Sequence, residues 1–208
     1  METMLVTQGL NELKLLDSRI LKRISDTGFI TCSKKSAKKI SGVGKDTYRK
    51  LSKSGYDSVI DLIARRNAIK SAIVKSNAIT KVTIAGKEMT VAEAIERKSS
   101  IAYEQNLLNE LTRQLSSART KLERENAKVD EQIDALLTTA YGKDSKEKIS
   151  EGMHDAIAVP YREANEYEYV EGFDVKATIV SLSDDIDSFL SEVDTVLQVS
   201  NSTTTIEV

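Results

Sequence analysis

Three short clusters in this chain have residue types and spacings that could do chemistry, and all three are suited to an anion. The first is Gly42-Val43-Gly44-Lys45, preceded by Lys38 and Lys39 and followed by Arg49, Lys50 and Lys53. A Gly-apolar-Gly turn leaves backbone N–H groups unobstructed, and N–H groups ringed by lysines can hold a phosphate without reading a base sequence. The second is Gly142-Lys143-Asp144-Ser145-Lys146, where Lys143, Ser145 and Lys146 offer two ammonium groups and a hydroxyl on flexible backbone. The third is the pair Arg65 and Arg66; either this pair or the Tyr161–Tyr169 loop could join the second cluster in a pocket for a phosphorylated nucleotide in an oligomer. The competing readings are plainer: a solvated lysine-rich loop, a helix end followed by a turn, and an exposed helix flank.

Catalytic signals are weak by comparison, so no enzyme activity, cofactor or metal is expected. His154 is the sole histidine and has no nucleophile motif near it, although histidine is the commonest general base. Asp184/Asp185 and Glu123/Glu125 are spaced so that they do not share a helix face. Cys32 is the only cysteine, which rules out an intrachain disulfide and a cysteine-based zinc site and fits a reducing compartment. Gly44-Lys45 brushes the phosphate loop of nucleotide hydrolases but fails it twice, with Lys39 where glycine is required and Asp46 where serine or threonine is required. The stretch from Lys39 through Tyr48, Leu51, Gly55, Tyr56, Ser58, Val59 and Leu62 instead resembles the helix-hairpin-helix motif of DNA repair and recombination proteins. That resemblance implies DNA contact through Gly42, Val43, Gly44 and Lys45.

The elements that must position these clusters read as mainly α. Leu10, Leu13, Leu16, Ile20 and Ile24 mark a helix over about 6–25. Phe29 to Cys32 reads as a short strand and Ser33 to Lys45 as a loop. Helical spacing resumes from Lys45 to Asn77 with a break at Ser54-Gly55, its buried stripe being Val59, Leu62, Ile63, Ile69, Ile73 and Val74. Residues 79–89 predict a hairpin turning at Ala85-Gly86, and Thr90-x-x-Glu93 is a capping box. Ile101, Leu108, Leu115, Leu122, Val129 and Leu136 then recur every seven residues. That predicts a coiled-coil seam on a helix over 91–140, roughly 75 Å long. Residues 141–174 read as an irregular aromatic loop. A last helix over 175–199 is expected to pack antiparallel on the long one, and Ser202 to Val208 to add a strand to the central hairpin. The resulting fold is a long antiparallel helical hairpin or coiled-coil rod with a small β-hairpin sheet. Its domains would be 1–56, an N-terminal helix and basic loop, and 57–208, the rod.

Composition supports long amphipathic helices, with 40% hydrophobic residues, 30% charged, no Trp and one Pro in 208 residues. The net charge of −2 hides a division: residues 1–100 carry 20 Lys/Arg and 10 Asp/Glu, whereas 101–208 carry 10 and 22. The basic half could meet a polyanion, or two copies could neutralise each other. No apolar run is long enough to span a membrane and no leader is visible, so a cytoplasmic location without membrane contact is expected.

The order Arg65-Arg66-x-Ala68-Ile69-Lys70, Ser76-Asn77, a Thr/Val/Ile hairpin, Met89 through Lys98, a long helix, Glu192-Val193-Asp194 and Ser200-Asn201-Ser202 resembles a group of helical proteins from phages and genomes of Gram-positive bacteria. More distantly it resembles the small bacterial family called septicolysin. The resemblance implies a helical rod that oligomerises, with no established activity. It points to a non-enzymatic, phage-type homo-oligomer acting by binding, as a virion part or a host-defence antagonist in the bacterial cytoplasm. The alternatives are a trap for a phosphorylated nucleotide signal and a sequence-independent DNA binder.

Overall fold

The computed structural model describes residues 2–40, 42–142 and 150–208, and among them the chain is mainly α, with five helices and three two-stranded antiparallel sheets. They run in the order β1 (Thr3–Leu5), α1 (Val6–Asp26), β2 (Lys39–Ile40), β3 (Val43–Gly44), α2 (Lys45–Ile79), β4 (Lys81–Ile84), β5 (Lys87–Thr90), α3 (Val91–Tyr141), α4 (Glu151–Asn165), α5 (Val175–Thr203) and β6 (Thr205–Glu207). The chain divides into two compact units, one of residues 1–99 and 188–208, the other of 100–187. The expected boundary at 56/57 falls instead in the middle of α2, which runs unbroken through Ser54-Gly55.

The core of the first unit is built on the stripe of α1. Leu13, Leu16 and Ile20 meet Ile69 and Ile73 of α2, and Met4, Val6 and Ile206 close the same cluster. Ile69 has no exposed surface, whereas Val74, counted with the stripe by spacing, is exposed. Gly9 allows the close approach of α1: a Cβ there would lie 3.2–3.3 Å from side-chain carbons of Ile206, Ile69 and Ile73. The C-terminal strand does not extend the central hairpin. It pairs with β1, Met4 opposite Ile206, and is continued by reciprocal backbone bonds between Glu2 and Val208. Alternation explains the choice, because Ile206 is the one inward residue of β6 and completes the α1–α2 cluster.

The central hairpin forms as its residues predict, though Ile79 ends α2 with its side chain exposed and pairing starts at Lys81. Ala85 and Gly86 both take positive φ, 50° and 72°, the pattern of a type I′ turn. The Ala85 N–H donates to Glu192 of α5 at 2.7 Å, pinning the turn. Beyond β5, Thr90 and Glu93 make the reciprocal capping bonds: Thr90 N–H to Glu93 at 2.6 Å and Glu93 N–H to Thr90 Oγ1 at 3.1 Å. Phe189, fully buried, lies under the Arg97 guanidinium, 4.5 Å from the ring centre, and Lys98 pairs with Asp194.

The second unit contains two departures from the sequence reading. Residues 151–165, expected to be irregular, form α4, whose Ala158, Ile157 and Tyr161 cover Val129, Ile133, Leu137 and Tyr141 of α3. The seven-residue seam also drifts. Ile101 and Val129 are buried, but Leu136 is 41% exposed, and Ile133 and Leu137 take over. An α-helix with 3.6 residues per turn rotates a strict heptad stripe by about 20° per repeat. Over the length of α3 that shift carries the stripe onto neighbouring residues.

A left-handed alanine costs about 1–2 kcal/mol, and asparagine tolerates that conformation better. Ala85→Asn is therefore expected to stabilise the protein by about 0.5–1 kcal/mol, read as a raised urea midpoint with an unchanged slope.

Candidate functional site

The two arginines of the expected anion pocket are engaged within the first unit. Arg65 donates to Glu12 from Nε at 2.9 Å and to Glu2 from Nη2 at 2.6 Å, while Arg66 donates to Asp17 at 2.5 Å. They join α2 to α1 and to the residue preceding β1, rather than standing on an open flank. Lys143, Ser145 and Lys146, the other half of that pocket, lie outside the described residues. The bond from Arg65 holds the Glu12 carboxyl below its ordinary range and raises the guanidinium in turn.

The Gly42-Val43-Gly44 turn is also different from its expected form. A helix-hairpin-helix needs a helix on each side, and residues 27–38 contain none; Gly42, at φ 85°, turns the short β2–β3 hairpin, and α2 starts immediately after it. Lys45 does not face outward as a phosphate ligand. Its Nζ donates to the backbone oxygens of Lys34 and Lys35 at 2.9 and 3.0 Å, and its N–H to that of Lys38 at 3.3 Å.

What the structure builds here is a non-helical strap lying against α2, with a turn at its far end closed by the Ala37 N–H donating to the Lys34 oxygen at 3.1 Å. Thr27 sits on Gly55, where a Cβ would come within 2.3 Å of the threonine methyl, and Gly28 sits by the Tyr48 hydroxyl. The Phe29 oxygen accepts from Ser52 Oγ at 2.7 Å, and Lys45 holds the far end. Phe29 to Cys32, expected as a strand, thus has no strand partner, and its Phe29 oxygen bonds a helix side chain instead.

Between strap and helix lies a groove of about 680 Å³, lined among others by Phe29, Tyr48, Tyr56, Arg49, Lys53 and Cys32. Its electrostatics are one-sided: residues 27–53 carry eight cations and one carboxylate, Asp46. Arg49 pairs with Asp46 and Lys53 with Asp57, both in exposed pairs that contribute little stability. The groove was visible in the sequence as two neighbouring helical rows, Lys45-Arg49-Lys53 and Tyr48-Ser52-Tyr56, each spaced by four.

A second groove, of about 540 Å³, belongs to the other unit. Leu111, Leu115, Ala118 and Leu122 of α3 line it with Tyr167, Tyr169, Val170 and Phe173 from a second strap, residues 166–174. Asn126 fastens that strap by accepting from the Tyr167 N–H at 2.8 Å and donating to its oxygen at 3.1 Å, and Arg162 of α4 pairs with Asp130 at 2.8 Å. Val170 is 94% exposed, and Tyr167, Tyr169 and Phe173 are each about half exposed.

The remaining chemistry is sparse. His154 is half-buried, with Nδ1 3.2 Å from Asp155, and among the described residues no cluster of His, Cys, Asp and Glu could hold a metal ion. No helix among them is long and apolar enough to cross a membrane. No family model, curated protein or solved structure matches the chain.

A carboxyl whose pKa is depressed on folding stabilises the native state above its unfolded value, and that contribution disappears as pH falls through the folded value. The urea midpoint is thus expected to fall between pH 7 and pH 3, and Arg65→Gln to narrow the difference by removing the bond to Glu12. Gly55→Ala separates strap from helix. Alanine favours helix by about 0.8–1 kcal/mol over glycine, so helical circular dichroism should hold while the displaced Thr27 frees the strap. Trypsin should then cut at Lys34 and Lys35 faster than in the parent protein.

Proposed function

We propose that the protein acts by binding, as a homo-oligomer assembled through the waist of α3. The observation that carries this reading is that none of residues 102–128, more than seven helical turns, is buried, although they include Leu108, Leu111, Leu115 and Leu122. An amphipathic helix draws most of its stability from tertiary burial of its apolar face. The strap gives that stretch only partial cover and adds exposed apolar side chains of its own beside it. Contiguous apolar surface of this kind marks a protein interface.

A second copy of the chain is the occupant that the flanking charges favour. Lys121 stands on the helix side of the groove and Glu168 and Glu171 on the strap side. A two-fold contact sets each copy's Lys121 against the other's acidic strap, so one patch complements itself. The seven-residue spacing from Ile101 to Val129 also suits packing against an identical helix. Such an oligomer agrees with the resemblance to helical phage proteins and with a role in assembly or host interaction.

Light-scattering mass measurement behind a sizing column is the test. The protein should elute at a multiple of 23.0 kDa. Leu115→Glu, and separately Val170→Asp with Phe173→Asp, should shift it to the single-chain mass with helix content retained. A parent protein that is monomeric at all accessible concentrations would sink the proposal.

A further inference from the structure

We infer that the groove between the first strap and α2 is a binding site for a nucleotide phosphate, either free or as one unit of a single strand. It uses neither the arginine pair nor the glycine turn, and it is independent of the α3 interface. Two features of the groove converge on this ligand class. Its volume, about 680 Å³, lies in the range of small-molecule sites. Its lining joins aromatic faces to cations: Phe29, Tyr48 and Tyr56 beside Arg49 and Lys53. A base stacks on an aromatic ring whatever its identity, and the adjoining cations take the phosphate.

The cation supply is what distinguishes this groove from an ordinary charged surface. Beyond the lining itself, whose cations are Lys45, Arg49 and Lys53, the neighbouring Lys34, Lys35, Lys38, Lys39 and Lys50 make no ion pair among the described residues, and all five are exposed. Arg49 and Lys53 are held only by same-helix carboxylates at 2.8 and 2.5 Å, with both cations about three-quarters exposed. A phosphate carrying more than one charge competes for such cations at small cost, because each exposed pair contributes roughly 0–1 kcal/mol. Lys45 has a different part: with its Nζ committed to two carbonyls, it fixes the strap and hence the wall of the groove. The neighbouring surface of α2, lined by Asp57 and Asp61 as well as Arg49 and Lys53, limits the anion to the strap side.

Fluorescence anisotropy on the full chain tests this, with fluorescein-labelled dT20 as the probe and ATP, U20 and inorganic tripolyphosphate as competitors. The expected result is binding that weakens steeply with salt, with the slope reporting the phosphates engaged. Tyr56→Ala, an exposed position, should weaken binding at least five-fold, as loss of one stacked base does. Arg49→Glu with Lys53→Glu should weaken it more than ten-fold, and Lys70→Glu with Lys75→Glu, elsewhere on α2, should weaken it far less. Displacement by ATP at concentrations similar to the single strands assigns the groove to a free nucleotide; displacement by dT20 or U20 alone assigns it to a strand. No binding at low salt would overturn the inference. So would tripolyphosphate competing as well as ATP with Tyr56→Ala neutral, or equal losses from the Lys70/Lys75 control.

Discussion

The constraint on which this structure depends is that a long helix with an apolar stripe must be covered along its length. α2 has 35 residues and α1 only 21, while α3 has 51 and α4 only 15. Where α1 and α4 run out, non-helical chain takes over: residues 27–38, which include a turn at 34–37, over the first turns of α2, and 166–174 over the waist of α3, while α5 meets the first turns of α3. A strap has no ladder of its own, so its backbone needs partners from side chains. Ser52 and Lys45 serve the first strap, and Asn126 serves the second. The first strap sets Phe29 against its helix and the second sets Tyr167, Tyr169 and Phe173, and all four remain about half exposed. Each groove is thus a by-product of incomplete covering, basic in one unit and apolar with an acidic rim in the other.

That origin explains which parts of the fold were legible. Elements governed by local rules could be read directly: α1 from its three-and-four spacing, the hairpin from Ala85-Gly86, the start of α3 from Thr90 and Glu93. What depended on distant partners could not. The destination of β6 was settled by Ile206 fitting the α1–α2 cluster, and nothing near residue 206 announces that cluster. α4 was hidden by Pro160 and Gly152, although Ile157, Ala158 and Tyr161 carried the spacing. Arg65 and Arg66 looked solvent-facing by periodicity, yet Glu2, Glu12 and Asp17 were positioned to neutralise them.

The residues behind the resemblance to phage proteins prove to be joints of the scaffold. Arg65 and Arg66 tie α2 to α1, and Ile69 fills the core beside them. Glu192 caps the hairpin turn, Val193 is buried and Asp194 meets Lys98. Ser200 accepts the bond from Thr204 that ends α5. Those positions concern how the chain is assembled, and the lining of the grooves is made by other residues. Tyr48, Ser52 and Tyr56, which line the basic groove, stand outside every one of those motifs.

The pairing of β1 with β6 has a kinetic side. Ile206 completes the cluster around Gly9 and Ile69 from about two hundred residues downstream, the kind of contact whose loop-closure cost slows folding. The second unit is one uninterrupted segment, and its α3–α4 contacts close a far shorter loop. During synthesis that segment can fold as soon as it emerges, whereas the first unit, although most of it is made earlier, must wait for its last strand. Until then α1 and α2 hold a cluster that still lacks the cover of Ile206 over Ile69 and Ile73, and this interval is when the chain is most exposed to aggregation and proteolysis.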